Sequence, residues 1–340
     1  NPSRMVPQQI KLGEAVTWVL EAVTIDTFEQ TDLTELKRAF YIERVVSSGN
    51  RLRIKLYPYQ SGQVRLKPIY LGQQVYQPPV ITVTENPELK VTWQAPSAEP
   101  KAYQNQVVYW RVEVLAADAD LSLTHQLPDH NPDHFAWLTT SKVEGRSGLL
   151  GHRWRYISGL QLKQPGRYSV DSPLIWVRND TQQQWLFVAP PSPIQVKPLP
   201  SFVPRNLPVG QLQLTANFPM RLVEKGALQS WRWQLTGQHL PPEDFSDLTD
   251  SLKSQPGLEW LNPTQQADSQ MQIDGLVSDM TIEQPFRVNQ YGWVSLPALR
   301  LSFFDSQTGK LVDRMIESQT LISVPAWMIW LTKIVWWLFI

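Results

Sequence analysis

Gly166-Arg167-Tyr168-Ser169-Val170 recurs in outline twice, as Gly62-Gln63-Val64-Arg65-Leu66 and as Gly292-Trp293-Val294-Ser295-Leu296. Each copy reads Gly-x-apolar-x-apolar. Each is followed by a proline and a second apolar run: Pro68-Ile69-Tyr70-Leu71, Pro173-Leu174-Ile175-Trp176-Val177 and Pro297-Ala298-Leu299-Arg300-Leu301. An Ile-x-Val stretch closes each unit, at Ile81-Thr82-Val83, Ile194-Gln195-Val196 and Ile322-Ser323-Val324. Alternation with a period of two marks half-buried strands. A repeat of ~100 to 125 residues has the size of one β-sandwich domain. The chain is therefore predicted to be all-β, with three related modules in series rather than one large enzyme fold.

Neighbouring stretches extend this reading. In Arg51-Leu52-Arg53-Ile54-Lys55-Leu56-Tyr57 the cations take one face and Leu52, Ile54 and Leu56 the other. Trp154 and Tyr156 alternate with Arg153 and Arg155. The run from Leu162 to Val170 resembles the E–F corner of immunoglobulin-like domains, where a Tyr precedes by two residues an inward position often held by Cys. Val170 fills that position. Val64 and Val294 stand where Tyr168 does, so the corner hydrogen bond is expected in the second module only. The predicted architecture is three tandem immunoglobulin-like β-sandwiches followed by a C-terminal transmembrane helix. The boundaries are 1–86, 87–198, 199–324 with a short helical insert, and 325–340 for the start of the helix. Lys197 to Pro208 is proline-rich and reads as an extended, semi-rigid linker. Two stretches look helical: 32–40, capped by Thr31 or Asp32, and 243–253, with Phe245, Leu248 and Leu252 at helical spacing.

At 340 residues the length allows two or three domains. Charge is balanced, 31 basic against 31 acidic, so no basic stripe argues for nucleic acid. Without cysteine there is no disulfide, thiol nucleophile or cysteine-held metal. The opening Asn1-Pro2-Ser3-Arg4-Met5-Val6 lacks a charged-then-apolar leader pattern, so a leader has been removed or never existed. The tail points to removal. Lys333 is the only charge in 321–340. Trp327, Trp330, Trp336 and Trp337 resemble an interfacial belt. A span needs ~20 apolar residues, so the expectation is a membrane anchor that is cut short or continues past Ile340. A hydrophobic helix packed on a soluble domain is the alternative. An anchor preceded by a lost leader puts the modules outside the cytoplasm.

Three places resemble the BatD family, the oxygen-tolerance membrane proteins encoded beside MoxR-type AAA+ ATPases and von Willebrand A (VWA) proteins. They are Val6 to Val16 with its Leu12-Gly13-Glu14 turn, Ile194 to Leu214, and Gly292 to Leu311 followed by a membrane helix. The resemblance implies tandem immunoglobulin-like domains in the periplasm, a single-pass inner-membrane anchor, and action with VWA-domain membrane proteins and a MoxR-type ATPase. It carries over no catalytic residues and no cofactor.

Candidate chemistry is sparse. His125, His130 and His134 lie within ten residues beside Asp129 and Asp133, and imidazole with carboxylate suits zinc. The spacing matches no metal motif, and Pro128 and Pro132 put the cluster on a loop. Gly-x-Ser-x-Gly, phosphate loops and His-Glu-x-x-His are absent. Of the fifteen Trp, Trp231 and Trp233 share one strand face, which reads as core, as a protein-binding surface, or as a platform for stacking sugars. Three functions are in play. The first is a membrane-anchored, non-enzymatic protein-binding scaffold. The second is a carbohydrate- or envelope-polymer-binding array using exposed Trp. The third is a metal-dependent enzyme at the His loop.

Overall fold

A computed structural model describes residues 3–96, 101–118, 120–147, 151–217, 221–245, 252 and 255–331. Nearly every described element is a strand. One sheet pattern occurs three times. In the first unit, Arg4–Val6, Val16–Glu21, Arg51–Pro58 and Phe40–Ser48 form an antiparallel sheet in that spatial order. A second sheet pairs Gln9–Lys11 in parallel with Ile81–Thr84, which takes Gly62–Val64 antiparallel. In the second unit, Leu89–Gln94, Val107–Ala116 and Gly151–Leu162 build the first sheet, and Ser141–Ser147 adds to its far side. Lys101–Tyr103 runs parallel to Ser192–Lys197, itself antiparallel to Gly166–Val170. The third unit repeats the arrangement with Gln211–Asn217, Leu228–Gln238, Gly275–Val288 and Thr264–Gln272. Its second sheet holds Leu222–Glu224, Gln319–Val324 and Gly292–Leu296. The two sheets of each unit bury their inward residues against each other: in the first, Trp18, Leu52, Ile54 and Leu56 meet Ile10, Ile81 and Val83.

The recurring motif has a backbone cause. Gly62, Gly166 and Gly292 all have positive φ, which admits glycine where a side chain would strain the corner. The proline after each motif removes a ladder donor. The strand then changes partner and pairs in a hairpin: Ile69–Leu71 with Gln74–Tyr76, Leu174–Arg178 with Gln184–Val188, and Leu299–Asp305 with Lys310–Ile316. At the second break, buried Ser172 Oγ accepts from Ala189 N–H at 3.0 Å, restoring a bond the ladder has lost. Tyr168 Oη donates to the carbonyls of Gln164 and Pro165, both at 3.2 Å.

The third closing strand departs from the sequence reading. Gly62 pairs with Val83 and Gly166 with Val196, but Gly292 pairs with Ser323. Leu321 and Ser323 thus take the core-facing positions that Ile81 and Val83 and Ile194 and Val196 hold in the other units, although Val324, at the end of the strand, is buried as well. With a side-chain period of two, a one-residue offset turns every residue to the other face. Ile322 is left on the outer face, opposite Trp293.

Two short helices, Ile25–Glu29 and Thr34–Ala39, bridge Val16–Glu21 to Phe40–Ser48 and bury Phe28 and Leu36. The first was not legible in the sequence. The second starts two residues later than expected, with Asp32 Oδ1 accepting from Thr34 N–H at 3.0 Å. In the third unit the expected helix is, among described residues, a single 3-10 turn at Pro242–Asp244. Phe245 and Leu252 pack on the core, and Leu248 lies outside the described residues. The proline-rich connection is not a free spacer: Val203 and Val209 are buried with Phe304, and Leu199, Leu207 and Tyr103 pack around them.

Candidate functional site

Two joints lock the units into series. At the first, Lys11 to Glu14 forms a turn closed by Glu14 N–H to Lys11 C=O at 3.0 Å, with Gly13 at φ +96°. Gly13 C=O accepts from Leu186 N–H of the second unit at 3.0 Å. A Cβ on Gly13 would lie 2.7 Å from the Phe187 ring. Tyr57 meets Trp176 edge-on at 5.9 Å and packs with Leu174, Leu186 and Val188. Asn86, buried at the boundary, donates to Leu12 C=O at 3.2 Å.

At the second joint, the turn between Thr264–Gln272 and Gly275–Val288 seats on the middle unit. Met271 and Leu276 pack on Ile157. Arg111 donates to the carbonyls of Ile273 at 3.2 Å and Asp274 at 3.1 Å. Tyr109 Oη accepts from Leu276 N–H at 3.1 Å and lies 2.9 Å from His239 Nδ1. Burial, and then the Arg111 charge, hold His239 below the usual imidazole range. A neutral ring with a free Nδ1 accepts a hydrogen bond from the Tyr109 hydroxyl, which burial pushes up to about 12 and so keeps protonated. Gln161 donates to Asp244, whose carboxyl burial raises. A cleft of about 470 Å³ opens beside this joint, with Arg111, Glu113, Arg155 and Asp274 on its wall. Glu113 pairs with Arg155 at 3.6 Å.

The structure does not bring the three histidines together, and His125 is not on the loop: it lies in the strand Ser122–Gln126, opposite Ile175. His125 stacks on Tyr156 at 5.1 Å, and its Nε2 is 3.0 Å from Ser158 Oγ. Burial lowers it to about 4. His130 stacks on Trp137, and His134 packs on Phe135 and Tyr168. Among the described residues no three His, Asp or Glu side chains converge as a metal site. The loop is ordered by Trp137 Nε1 donating to Pro128 C=O at 2.9 Å and Lys163 Nζ to Pro132 C=O at 3.0 Å.

The sugar-platform reading of Trp231 and Trp233 is corrected: both are 0 % exposed, and they meet edge-on at 5.0 Å inside the third core. Their alternation with Arg232 reflects an inward face, not an outer one. Trp293, at 72 %, is the large exposed indole of the sheets. Trp327 and Trp330 are also exposed, on a helical stretch at 326–331. Trp336 and Trp337 lie outside the described residues. Among the described residues no helix is long and apolar enough to cross a membrane. Of the joint residues, Tyr57, Leu174 and Trp176 are legible in the sequence as strand positions and Leu12-Gly13-Glu14 as a turn; that they meet across a joint is not.

No family model matches the chain, and no curated protein matches it. Among solved structures, a marsupial T cell receptor matches at 12% identity over 93% of this chain and 99% of that one, with a TM-score of 0.18. Fibronectin(III)-like modules of Clostridium thermocellum CbhA match at 12% identity over 58% of this chain and 94% of theirs, with a TM-score of 0.15. At such scores the architecture rests on the sheet order itself.

Proposed function

We propose that the chain is a membrane-anchored, extracytoplasmic, non-catalytic arm of three tandem immunoglobulin-like sandwiches that holds other proteins. Following the resemblance to the BatD family, its partners are VWA-domain membrane proteins and, across the membrane, a MoxR-type ATPase. The observation that carries this reading is the pair of joints. Gly13 against Phe187 and Tyr109 against His239 fix neighbouring sandwiches to each other, as a stiff arm requires. The arm also offers a sheet edge. Thr264–Gln272 pairs only with Gly275–Val288 among described residues, and 264–268 are exposed with Asp268 their one charge. Such an edge can accept a partner strand by augmentation. The sugar reading has lost the two indoles it named.

The test is affinity purification of the tagged full chain from native membranes in mild detergent, with mass spectrometry. A VWA-domain membrane protein is expected in the eluate, and Gln266→Pro, which removes a ladder donor from the edge, is expected to deplete it. Repeated recovery of the folded chain without any such protein would sink the proposal.

A further inference from the structure

The three units permit a comparison at one structural position. The outward cross-strand pair beside the motif glycine is Gln63 with Thr82 in the first unit and Arg167 with Gln195 in the second. In the third it is Trp293 with Ile322. The residue before the glycine is Ser61, then Pro165, then Tyr291, and Tyr291 is exposed. Two polar faces and one apolar face at the same place, in the same fold, cannot be a demand of the fold. The apolar one belongs to the unit from which the tail leaves.

These residues ring the exit of the chain. Lys225 N–H donates to Val324 C=O at 3.0 Å, and its ammonium sits 4.2 Å from the Tyr291 ring centre. Leu228 is exposed at the start of its strand on the other sheet, across from Arg287. From Ala326 to Ile340 the sequence is apolar but for Thr332 and Lys333. Ile322, level with Trp293, precedes Val324 by two residues, or ~7 Å of strand. The headgroup layer of one leaflet is about 5–7 Å deep. If the hydrocarbon begins near Ala326, Trp293 and Tyr291 lie at headgroup depth, where amphipathic rings partition. The charges near the exit balance: Lys225 adjoins Glu224, which pairs with Val324, and Arg287 lies opposite Glu259, so the apolar and aromatic side chains rather than net charge carry the seating.

We propose that Leu228, Tyr291, Trp293 and Ile322 form a collar that seats the third sandwich in the lipid headgroup layer and fixes the angle at which the arm leaves the membrane. This rests on the anchor in the reading above. The occupant is the lipid surface rather than a second protein.

The chain has no cysteine, so one introduced residue takes a single nitroxide. The full chain is placed in vesicles of phosphatidylethanolamine and phosphatidylglycerol, labelled in turn through Trp293→Cys, Tyr291→Cys, Arg167→Cys and Trp330→Cys. Tyr291→Cys leaves the Trp293 indole in place. Relaxation by oxygen, which favours lipid, is compared with relaxation by a water-soluble nickel chelate. The expected result is an oxygen-to-nickel ratio several-fold higher at 293 and 291 than at 167, and higher still at 330. A lipid signature at 330 with aqueous values at 291 and 293 overturns the collar and leaves the anchor. Aqueous values at 330 as well overturn both. Shielding from both reagents at 293 means a protein covers the site, and that overturns lipid as the occupant.

Discussion

Single side chains decide how much of a local pattern becomes structure. Tyr168 and its absence at Val64 and Val294 illustrate this. The ring packs over Gly166, where a Cβ would lie 2.9 Å from Tyr168 Oη, and the hydroxyl donates to two carbonyls of the corner. Tyr168→Phe keeps the ring and removes the donor. A net hydrogen bond is worth about 1 kcal/mol, so faster amide exchange is expected in 162–170, by about fivefold where exchange reports unfolding of the middle sandwich. Unchanged exchange there would show that the hydroxyl contributes nothing. This contact was legible in the sequence because the motif is local: tyrosine, glycine and the accepting carbonyls lie within five residues. The fate of Trp231 and Trp233 was not legible, because alternation shows that two side chains share a face and not which face is inside.

At the scale of elements, the strands were readable and the connections were not. Arg51–Pro58 buries Leu52, Ile54 and Leu56 and exposes Arg51 and Arg53, as its alternation requires. The five residues of Ile25–Glu29 hold less than two helical turns, too short for a period to show; its local signals are Thr24 capping Thr27 N–H at 3.2 Å and Asp26 in the first turn. The connection at 197–208 has the composition of a spacer, yet its Val203 is buried by Phe304, a residue a hundred positions away. The offset of the last strand escaped for a related reason: register is set by the partner strand, and Ile322-Ser323-Val324 matches the motif in letters alone. The turn at Gly13 gives an element-scale prediction. Gly13→Ala puts a methyl 2.7 Å from a buried ring and strains a positive-φ turn, at a combined cost of at least ~2 kcal/mol. The first joint should open while each sandwich stays folded. Small-angle scattering should then report a larger radius of gyration with an unchanged far-ultraviolet spectrum; an unchanged radius would mean that the contact does not hold the joint.

For the whole molecule, the second joint couples shape to acidity. His239 is held below its unfolded value of about 6.5, so the folded joint prefers the neutral ring. Its contribution is complete above that value and is lost as pH falls through the depressed folded value. A protonated ring makes Nδ1 a donor, so the Tyr109 hydroxyl must turn from donor to acceptor while already accepting from Leu276 N–H; it also brings a second cation near Arg111 and gains only Asp274 in compensation. Asp244, at the same joint, works in the opposite sense: its raised carboxyl favours the neutral form, and acid relieves that cost. The histidine is separated from it by His239→Gln, which keeps a polar partner for Tyr109 and does not titrate. Labels at Thr124→Cys and Gln266→Cys span the joint without touching it. Their distance distribution is expected to be narrow at pH 7.5 and to broaden as pH falls below 6.5 in the parent chain. In the His239→Gln chain it should stay narrow over that range. Equal broadening in both chains would place the acid response elsewhere, with the stacked His125 and its value of about 4 as the next group to replace.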